Sequence, residues 1–200
     1  MNLPNRLTIL RVILIPVFLL FMYLECPFHY TIALLVFAAA SLTDAFDGHI
    51  ARKRGLVTDF GKFLDPLADK ALVMAALAVF VDFGYMNSIP LIIIIAREFM
   101  VSGLRLVTAG KGVVVAAGFW GKLKTAFTLA AILLILLLLS LENDMEWFGL
   151  LTMTEGASPD DFRLAMNYIA LASIWVSAAL TVISGCVYLK GYWKYIDSEK

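Results

Sequence analysis

Four aspartates in one short stretch of an apolar chain are the residues best suited to chemistry. They form an i, i+3 pair and an i, i+4 pair, spacings that place both members on one helix face. They are Asp44, Asp47, Asp65 and Asp69. Carboxylates gathered in apolar surroundings resist desolvation and need a strong positive partner. Because hard oxygen ligands select Mg²⁺, Mn²⁺ or Ca²⁺ over zinc, the pattern predicts a divalent-metal centre. Two ions bridged by carboxylates suit displacement at phosphorus.

The neighbours of the first aspartate pair predict a ligand-binding face. If the second apolar segment continues as a helix to Arg54, one helical stripe carries two acids, two small residues and a cation. The stripe consists of Asp44, Asp47, Gly48, Ala51 and Arg52. Small residues let a bulky ligand approach the backbone, and the arginine can form two hydrogen bonds to a phosphate.

The second aspartate pair allows two local structures. Gly61, Asp65 and Asp69 follow one another at steps of four, which predicts one face of a helix. Alternatively, because Asp65 precedes Pro66, the helix begins there with Asp65 as its N-cap and proline in its first turn. Both versions point the two carboxylates the same way.

The elements that position these residues are predicted to be membrane helices. The chain is 62% hydrophobic and 16% charged, whereas soluble domains are about 45–50% apolar. We therefore expect one all-α membrane domain over residues 1–200, a polytopic protein with six transmembrane helices. The apolar segments are about Leu7–Leu24, Tyr30–Leu42, Leu67–Phe83, Ile89–Val107, Leu123–Leu141 and Leu164–Leu189.

Charge placement predicts the orientation of these spans. With six spans, one side holds 15 of the 16 Lys and Arg residues, and the other side keeps only Arg163 among several acids. Positive-inside bias then places both termini and the aspartates on the cytoplasmic side of the cell (inner) membrane. No small-x-small cleavage site follows the first segment, so it is expected to remain as a span. The longest outside loop is expected at Glu142–Asp161.

The aspartate stretch resembles the signature of the CDP-alcohol phosphotransferases, Asp-x2-Asp-Gly-x2-Ala-Arg-x8-Gly-x3-Asp-x3-Asp, at every defined position. The resemblance implies six transmembrane helices, a homodimer, and transfer of a phosphatidyl group from a CDP-activated lipid to an alcohol with release of CMP. It also implies that the four aspartates hold two Mg²⁺ or Mn²⁺ ions and that Asp69 is the base. The positions expected to bind the CDP-lipid are Gly48, Ala51, Arg52, Thr58 and Gly61.

Three further segments resemble bacterial phosphatidylglycerophosphate synthases, which use glycerol 3-phosphate as acceptor: Leu3–Arg11, Ala96–Glu98 and Gly121–Thr125. Several basic residues are surplus to an acidic metal site and suit a phosphorylated acceptor. They are Arg97, Arg105, Lys111, Lys122 and Lys124. Arg97 lies deep in an apolar run, where a charge marks function by default.

Four of these basic residues also have a simpler interpretation. Arg97 could pair with Glu98, although adjacent helical residues do not face each other. Lys111, Lys122 and Lys124 could be ordinary cytoplasmic loop charges.

The resemblance thus implies an enzyme that uses CDP-diacylglycerol as donor and glycerol 3-phosphate as acceptor. We expect it to be embedded in membrane lipid and to have no nucleic-acid partner. The alternatives within the family are other acceptors: serine, inositol phosphate, choline-type alcohols or phosphatidylglycerol. A cation or proton-coupled transporter is an alternative from another class. Such a transporter should carry polar groups across the whole membrane, whereas these acids crowd toward one face.

Overall fold

The computed structural model describes residues 3–54, 59–110, 118–148 and 159–196, with side chains within 8–43, 67–108, 118–148 and 160–193. Over these ranges the chain forms six α-helices and no strand, which confirms the all-α prediction. The helices are α1 (Leu3–Tyr23), α2 (His29–Arg54), α3 (Asp59–Asp82), α4 (Ser88–Gly110), α5 (Phe119–Trp147) and α6 (Pro159–Ile196).

The helices that carry the aspartate motif are longer than their apolar parts. Helix α2 runs without a break from the apolar segment to Arg54, as predicted. Helix α3 begins at Asp59, so the alternative in which Asp65 caps the helix is wrong. Pro66 lacks a backbone N–H and so removes one hydrogen bond from the helix. The residues from Asp59 onward each add a hydrogen bond once the helix has formed, which offsets that loss. Positions 61, 65 and 69 therefore follow one another on a continuous helix.

The six helices form an antiparallel bundle around one apolar core. Helix α1 packs against α2 and α3, α5 packs against α2 and α6, and α4 packs against α6. The core is filled by fully buried side chains from several helices, including Phe18, Phe37, Phe80, Ile132 and Ile174. This packing brings the C-terminal parts of α2 and α4 and the N-terminal parts of α3 and α5 to the same end of the bundle.

Interhelical polar contacts hold the opposite end of the bundle. Arg163 at the start of α6 donates to Glu142 Oε1 at 2.5 Å and to Glu146 Oε2 at 2.7 Å, both on α5. Tyr23 Oη donates to Asp82 Oδ2 at 2.8 Å, which joins the ends of α1 and α3. The predicted loop from Glu142 is wrong for its first part, because α5 continues to Trp147. The two glutamates are one turn apart, and extending the helix lets both reach the same guanidinium.

Two helices in the described ranges are long and apolar enough to cross a membrane, Phe119–Trp147 and Asp160–Trp193. The apolar parts Thr8–Tyr23 and His29–Thr43 are shorter. The bundle is thus helical and partly apolar, with many large hydrophobic side chains on its outer surface. Both properties agree with the composition.

Candidate active site at the motif end of the bundle

The structure places all four motif aspartates on two neighbouring helices. Asp44 and Asp47 lie on the last part of α2, and Asp65 and Asp69 lie on α3, which packs against α2. Each pair is about one turn apart along its helix, as the sequence spacing predicts. Asp69 is the one motif aspartate whose side chain is described, and it is half-buried.

The backbone positions suit the predicted metal centre, because aspartates one turn apart on two packed helices can offer hard oxygen donors from both helices. Among the side chains that the structure describes, no three potential metal ligands come together. The side chains of the other three aspartates lie outside that set, as do those of Gly48, Ala51, Arg52 and Gly61, and Thr58 lies outside the described residues. The metal ligands and the CDP-lipid contacts stay predictions.

Asp69 lines a cavity of about 210 Å³ between α2, α3, α4 and α5. Its wall combines apolar and polar side chains, and the polar lining residues are Ser41, Asp69, Lys70, Glu98, Lys124, Thr125 and Thr128. Lys70, next to Asp69 on α3, donates to Ser102 Oγ on α4. The cavity therefore brings the last motif aspartate and one of the predicted phosphate-binding lysines into one space.

Glu98 is the carboxylate that joins two of the predicted cations. Its Oε1 accepts a hydrogen bond from Arg97 Nη1 at 2.8 Å and another from Lys124 Nζ on α5. The Arg97–Glu98 pairing considered as the simpler interpretation is therefore present, because the long arginine side chain reaches across although the two residues are adjacent. All three side chains are largely buried, with 10% of Arg97, 18% of Glu98 and 6% of Lys124 exposed. Such burial of charge is costly unless each group is paired.

A second set of contacts attaches the cations to α6. Arg97 Nη2 donates to Ser184 Oγ at 2.6 Å, and Arg97 Cζ lies 5.4 Å from the centre of the Tyr188 ring. Arg105 Cζ lies 5.3 Å from the same ring, and its Nη2 donates to Tyr188 Oη at 2.8 Å. Two arginines of α4 thus contact one aromatic residue of α6.

The structure brings together three of the five predicted acceptor-binding residues, Arg97, Arg105 and Lys124. Lys122 is exposed at the start of α5 and has no ion pair among the described residues, and Lys111 lies outside them. Within the cluster Glu98 balances one of three positive charges, and Asp69 interacts electrostatically with Lys124. The excess of positive charge beside the cavity suits a dianionic phosphate.

The sequence interpretation missed the contacts of four polar residues at the motif end of the bundle. They are Lys70, Ser184, Tyr188 and Glu98, which joins Arg97 to Lys124. A pattern on α6 could have indicated Ser184 and Tyr188. Polar or aromatic residues recur on this apolar helix at helical spacing and are all buried: Ser177, Thr181, Ser184, Tyr188 and Tyr192. A polar stripe on an apolar helix predicts a face turned toward partners inside the bundle.

Comparison with known proteins shows the family of the chain. The family model described as CDP-alcohol phosphatidyltransferase matches residues 1–183. A Bacillus subtilis (strain 168) protein named CDP-diacylglycerol–glycerol-3-phosphate 3-phosphatidyltransferase is 39% identical, covering 99% of this chain and 98% of its own.

Proteins with the same name from other bacteria are similar over comparable lengths. The Rickettsia bellii (strain RML369-C) protein is 37% identical, and the match covers 97% of each chain. The Cereibacter sphaeroides protein is 33% identical, covering all of this chain and 99% of its own. The matches extend over all six helices, so they include both the aspartate motif and the basic cluster. The chain belongs to the CDP-alcohol phosphatidyltransferase family.

Proposed function

We propose that this chain transfers the phosphatidyl group of CDP-diacylglycerol to glycerol 3-phosphate, giving phosphatidylglycerophosphate and CMP in phospholipid biosynthesis. One observation carries the proposal: Asp69 of the family motif and Lys124 of the basic cluster line the same cavity, beside Arg97. A site for this reaction needs an acidic region for the activated donor and a cationic region for a phosphorylated acceptor. The names of the similar proteins support the same substrates.

The reaction assigns a step to Asp69. The acceptor hydroxyl oxygen forms a bond to the phosphorus that carries diacylglycerol, the bond from that phosphorus to CMP breaks, and the hydroxyl proton passes to the Asp69 carboxylate. A pair of Mg²⁺ or Mn²⁺ ions, held by Asp44, Asp47, Asp65 and Asp69, would neutralise the diphosphate oxygens and the charge on the leaving CMP. The donor's CDP part lies along Gly48, Ala51, Arg52, Thr58 and Gly61.

The basic cluster binds the acceptor phosphate. Arg97, Arg105 and Lys124 contribute charge-assisted hydrogen bonds, and we include Lys111 and Lys122 as further sources of positive charge. This arrangement favours glycerol 3-phosphate over neutral or zwitterionic acceptors, because only a phosphorylated acceptor uses the excess positive charge.

We further propose that residues 1–200 are one multi-pass domain of the cell (inner) membrane. All six helices cross the bilayer, with both termini and the active site on the cytoplasmic side, where the Lys and Arg residues concentrate. The acyl chains of the donor then enter sideways from membrane lipid, and the polar acceptor arrives from water. The family resemblance supports a homodimer.

An acceptor panel tests the proposed function. Purified protein is supplied with CDP-diacylglycerol and, separately, with glycerol 3-phosphate, serine, inositol phosphate, phosphatidylglycerol or free glycerol, and CMP release is measured. We expect efficient release with glycerol 3-phosphate and poor release with free glycerol, which lacks the phosphate. Faster release with any other acceptor would assign the chain to a different branch of the family.

Replacing Arg97 with alanine is expected to raise the KM for glycerol 3-phosphate about tenfold to a hundredfold. A hydrogen bond to a charged group contributes about 1.5–3 kcal/mol, and about 1.4 kcal/mol corresponds to a factor of ten. The KM for CDP-diacylglycerol should change much less. Lys190→Ala is the matched control, because it removes an exposed cation from α6 near the same end of the bundle. A larger effect on the donor KM than on the acceptor KM would contradict the assignment of Arg97.

A further inference from the structure

We propose that Tyr188 is a positioning residue of the acceptor-phosphate site, which holds Arg97 and Arg105 close enough together to act on one phosphate. The inference rests on the proposed function for the identity of the acceptor. Tyr188 lies on α6, whereas both arginines lie on α4 two turns apart. Its proposed role is to fix the cations, without contact to the reacting atoms.

The Tyr188 ring interacts with both guanidinium groups. Their Cζ atoms lie 5.4 Å and 5.3 Å from the ring centre, within the range of about 6 Å over which cation–π attraction acts. Two guanidinium groups that share a site repel each other, most strongly where solvent is excluded. Attraction of both to one electron-rich ring offsets part of this repulsion. The ring therefore keeps the two cations near each other before any anion is bound.

The Tyr188 hydroxyl ties the cluster to the start of α5. Its oxygen accepts a hydrogen bond from Arg105 Nη2 at 2.8 Å and another from the backbone N–H of Gly118 at 3.1 Å. Gly118 directly precedes α5, which carries Lys122 and Lys124. A single phenol oxygen on α6 thus contacts both cation-bearing parts of the site, α4 through Arg105 and the start of α5 through Gly118.

Close packing keeps the ring in place. Tyr188 is 5% exposed and stacks on Tyr192, with ring centres 6.0 Å apart. A Cβ atom at Gly121 would lie 3.0 Å from Tyr188 Oη, so the first turn of α5 packs directly against the phenol. One turn before Tyr188, Ser184 holds the other side of Arg97. A site whose supporting residues are fixed in this way loses little entropy when the phosphate binds.

Two substitutions separate the ring from the hydroxyl. Tyr188→Phe keeps the cation–π contacts and removes the hydrogen bonds, and we expect it to raise the glycerol 3-phosphate KM about threefold to tenfold. Tyr188→Leu removes both kinds of contact and should raise it about tenfold to a hundredfold. In both variants the KM for CDP-diacylglycerol should stay within about twofold of the wild-type value, because Tyr188 is not proposed to act on the donor. The matched control is Tyr168→Phe, an exposed tyrosine near the opposite end of α6.

A double-substitution cycle tests whether the hydroxyl acts through Arg105. If it does, adding Tyr188→Phe to Arg105→Ala should leave the acceptor KM within about twofold of Arg105→Ala alone. Additive effects, an unchanged acceptor KM in Tyr188→Leu, or equal increases in both KM values would each overturn the positioning role. Melting temperatures in detergent show whether Tyr188→Leu is misfolded. If it is, the acceptor KM of Tyr188→Phe and the double-substitution cycle test the positioning role.

Calorimetric binding of glycerol 3-phosphate separates this inference from the proposed function. We expect Tyr188→Leu to weaken binding about tenfold, whether or not turnover is measured. If glycerol 3-phosphate binding is weakened by Tyr188→Leu but the wild-type protein releases no CMP, only the proposed function is contradicted. Turnover with wild-type binding in Tyr188→Leu would overturn the positioning role alone.

Discussion

Replacing Asp44, Asp47 or Asp65 with asparagine is expected to lower turnover about a thousandfold while the protein still inserts and folds. Asparagine keeps the size of the side chain but removes the charge that is proposed to hold a divalent ion. Metal stabilisation of charge in a transition state contributes several kcal/mol, and each 1.36 kcal/mol is a factor of ten in rate. Initial rates of CMP release at saturating substrates measure the effect, and circular dichroism in detergent checks the fold.

Chelation and a matched variant complete this test. Excess EDTA should silence the wild-type enzyme, and added Mg²⁺ or Mn²⁺ should restore it. Asp82→Asn is the control, because Asp82 lies on α3 with Asp65 but at its opposite end, where it accepts a hydrogen bond from Tyr23. This control should keep turnover near the wild-type rate. Full activity in excess EDTA would contradict the proposed metal mechanism.

Asp69→Asn is expected to lower kcat about 10²- to 10⁴-fold, the usual contribution of a positioned general base. Asp69 lines the cavity shared with Glu98 and Lys124, where the proposed donor and acceptor regions meet. The variant should bind CDP-diacylglycerol more tightly than Asp44→Asn does, because Asp44 is proposed to serve only the metal-bound donor. Single-turnover kinetics measure the chemical step, and equilibrium binding of the CDP-lipid measures the donor site.

Comparison of the two variants decides whether Asp69 has a separate role. Asp44→Asn should lose both donor binding and chemistry, whereas Asp69→Asn should lose mainly chemistry. If the two variants lose CDP-lipid binding equally, there is no reason to assign proton transfer to Asp69. A kcat for Asp69→Asn near that of wild type would exclude it as the base.

The local features of this protein could be predicted from its sequence. Helical spacing put the aspartates on two helices, and the continuation of α2 to Arg54 follows from an unbroken pattern of helix-compatible residues. The all-α class follows from long apolar segments, because an apolar chain satisfies its backbone hydrogen bonds within helices. Arg97 stood out because a cation in an apolar run needs a partner. Each of these inferences concerns neighbours within a few turns.

Helix boundaries were less predictable. Asp65 before Pro66 carries a valid capping signal, yet α3 begins at Asp59, and α5 extends through Glu142 and Glu146 toward Arg163. The second extension depends on a residue of another helix, so the local sequence does not contain its cause. Tertiary contacts overrode the local preference in that case.

The partners of the cations were decided only by tertiary structure. Lys124 meets Glu98 across 26 positions of sequence, Arg105 meets Tyr188 across 83, and Arg97 meets Ser184 across 87. Periodicity shows that a helix has a polar face, but it does not specify which helix that face contacts or at what height. That choice depends on how all the apolar faces of the bundle pack at once. The sequence by itself therefore determined the family, the motif and the charged residues. The packing of α4, α5 and α6 determined that Lys124 lines the cavity with Glu98 and that Arg97 and Arg105 meet at Tyr188.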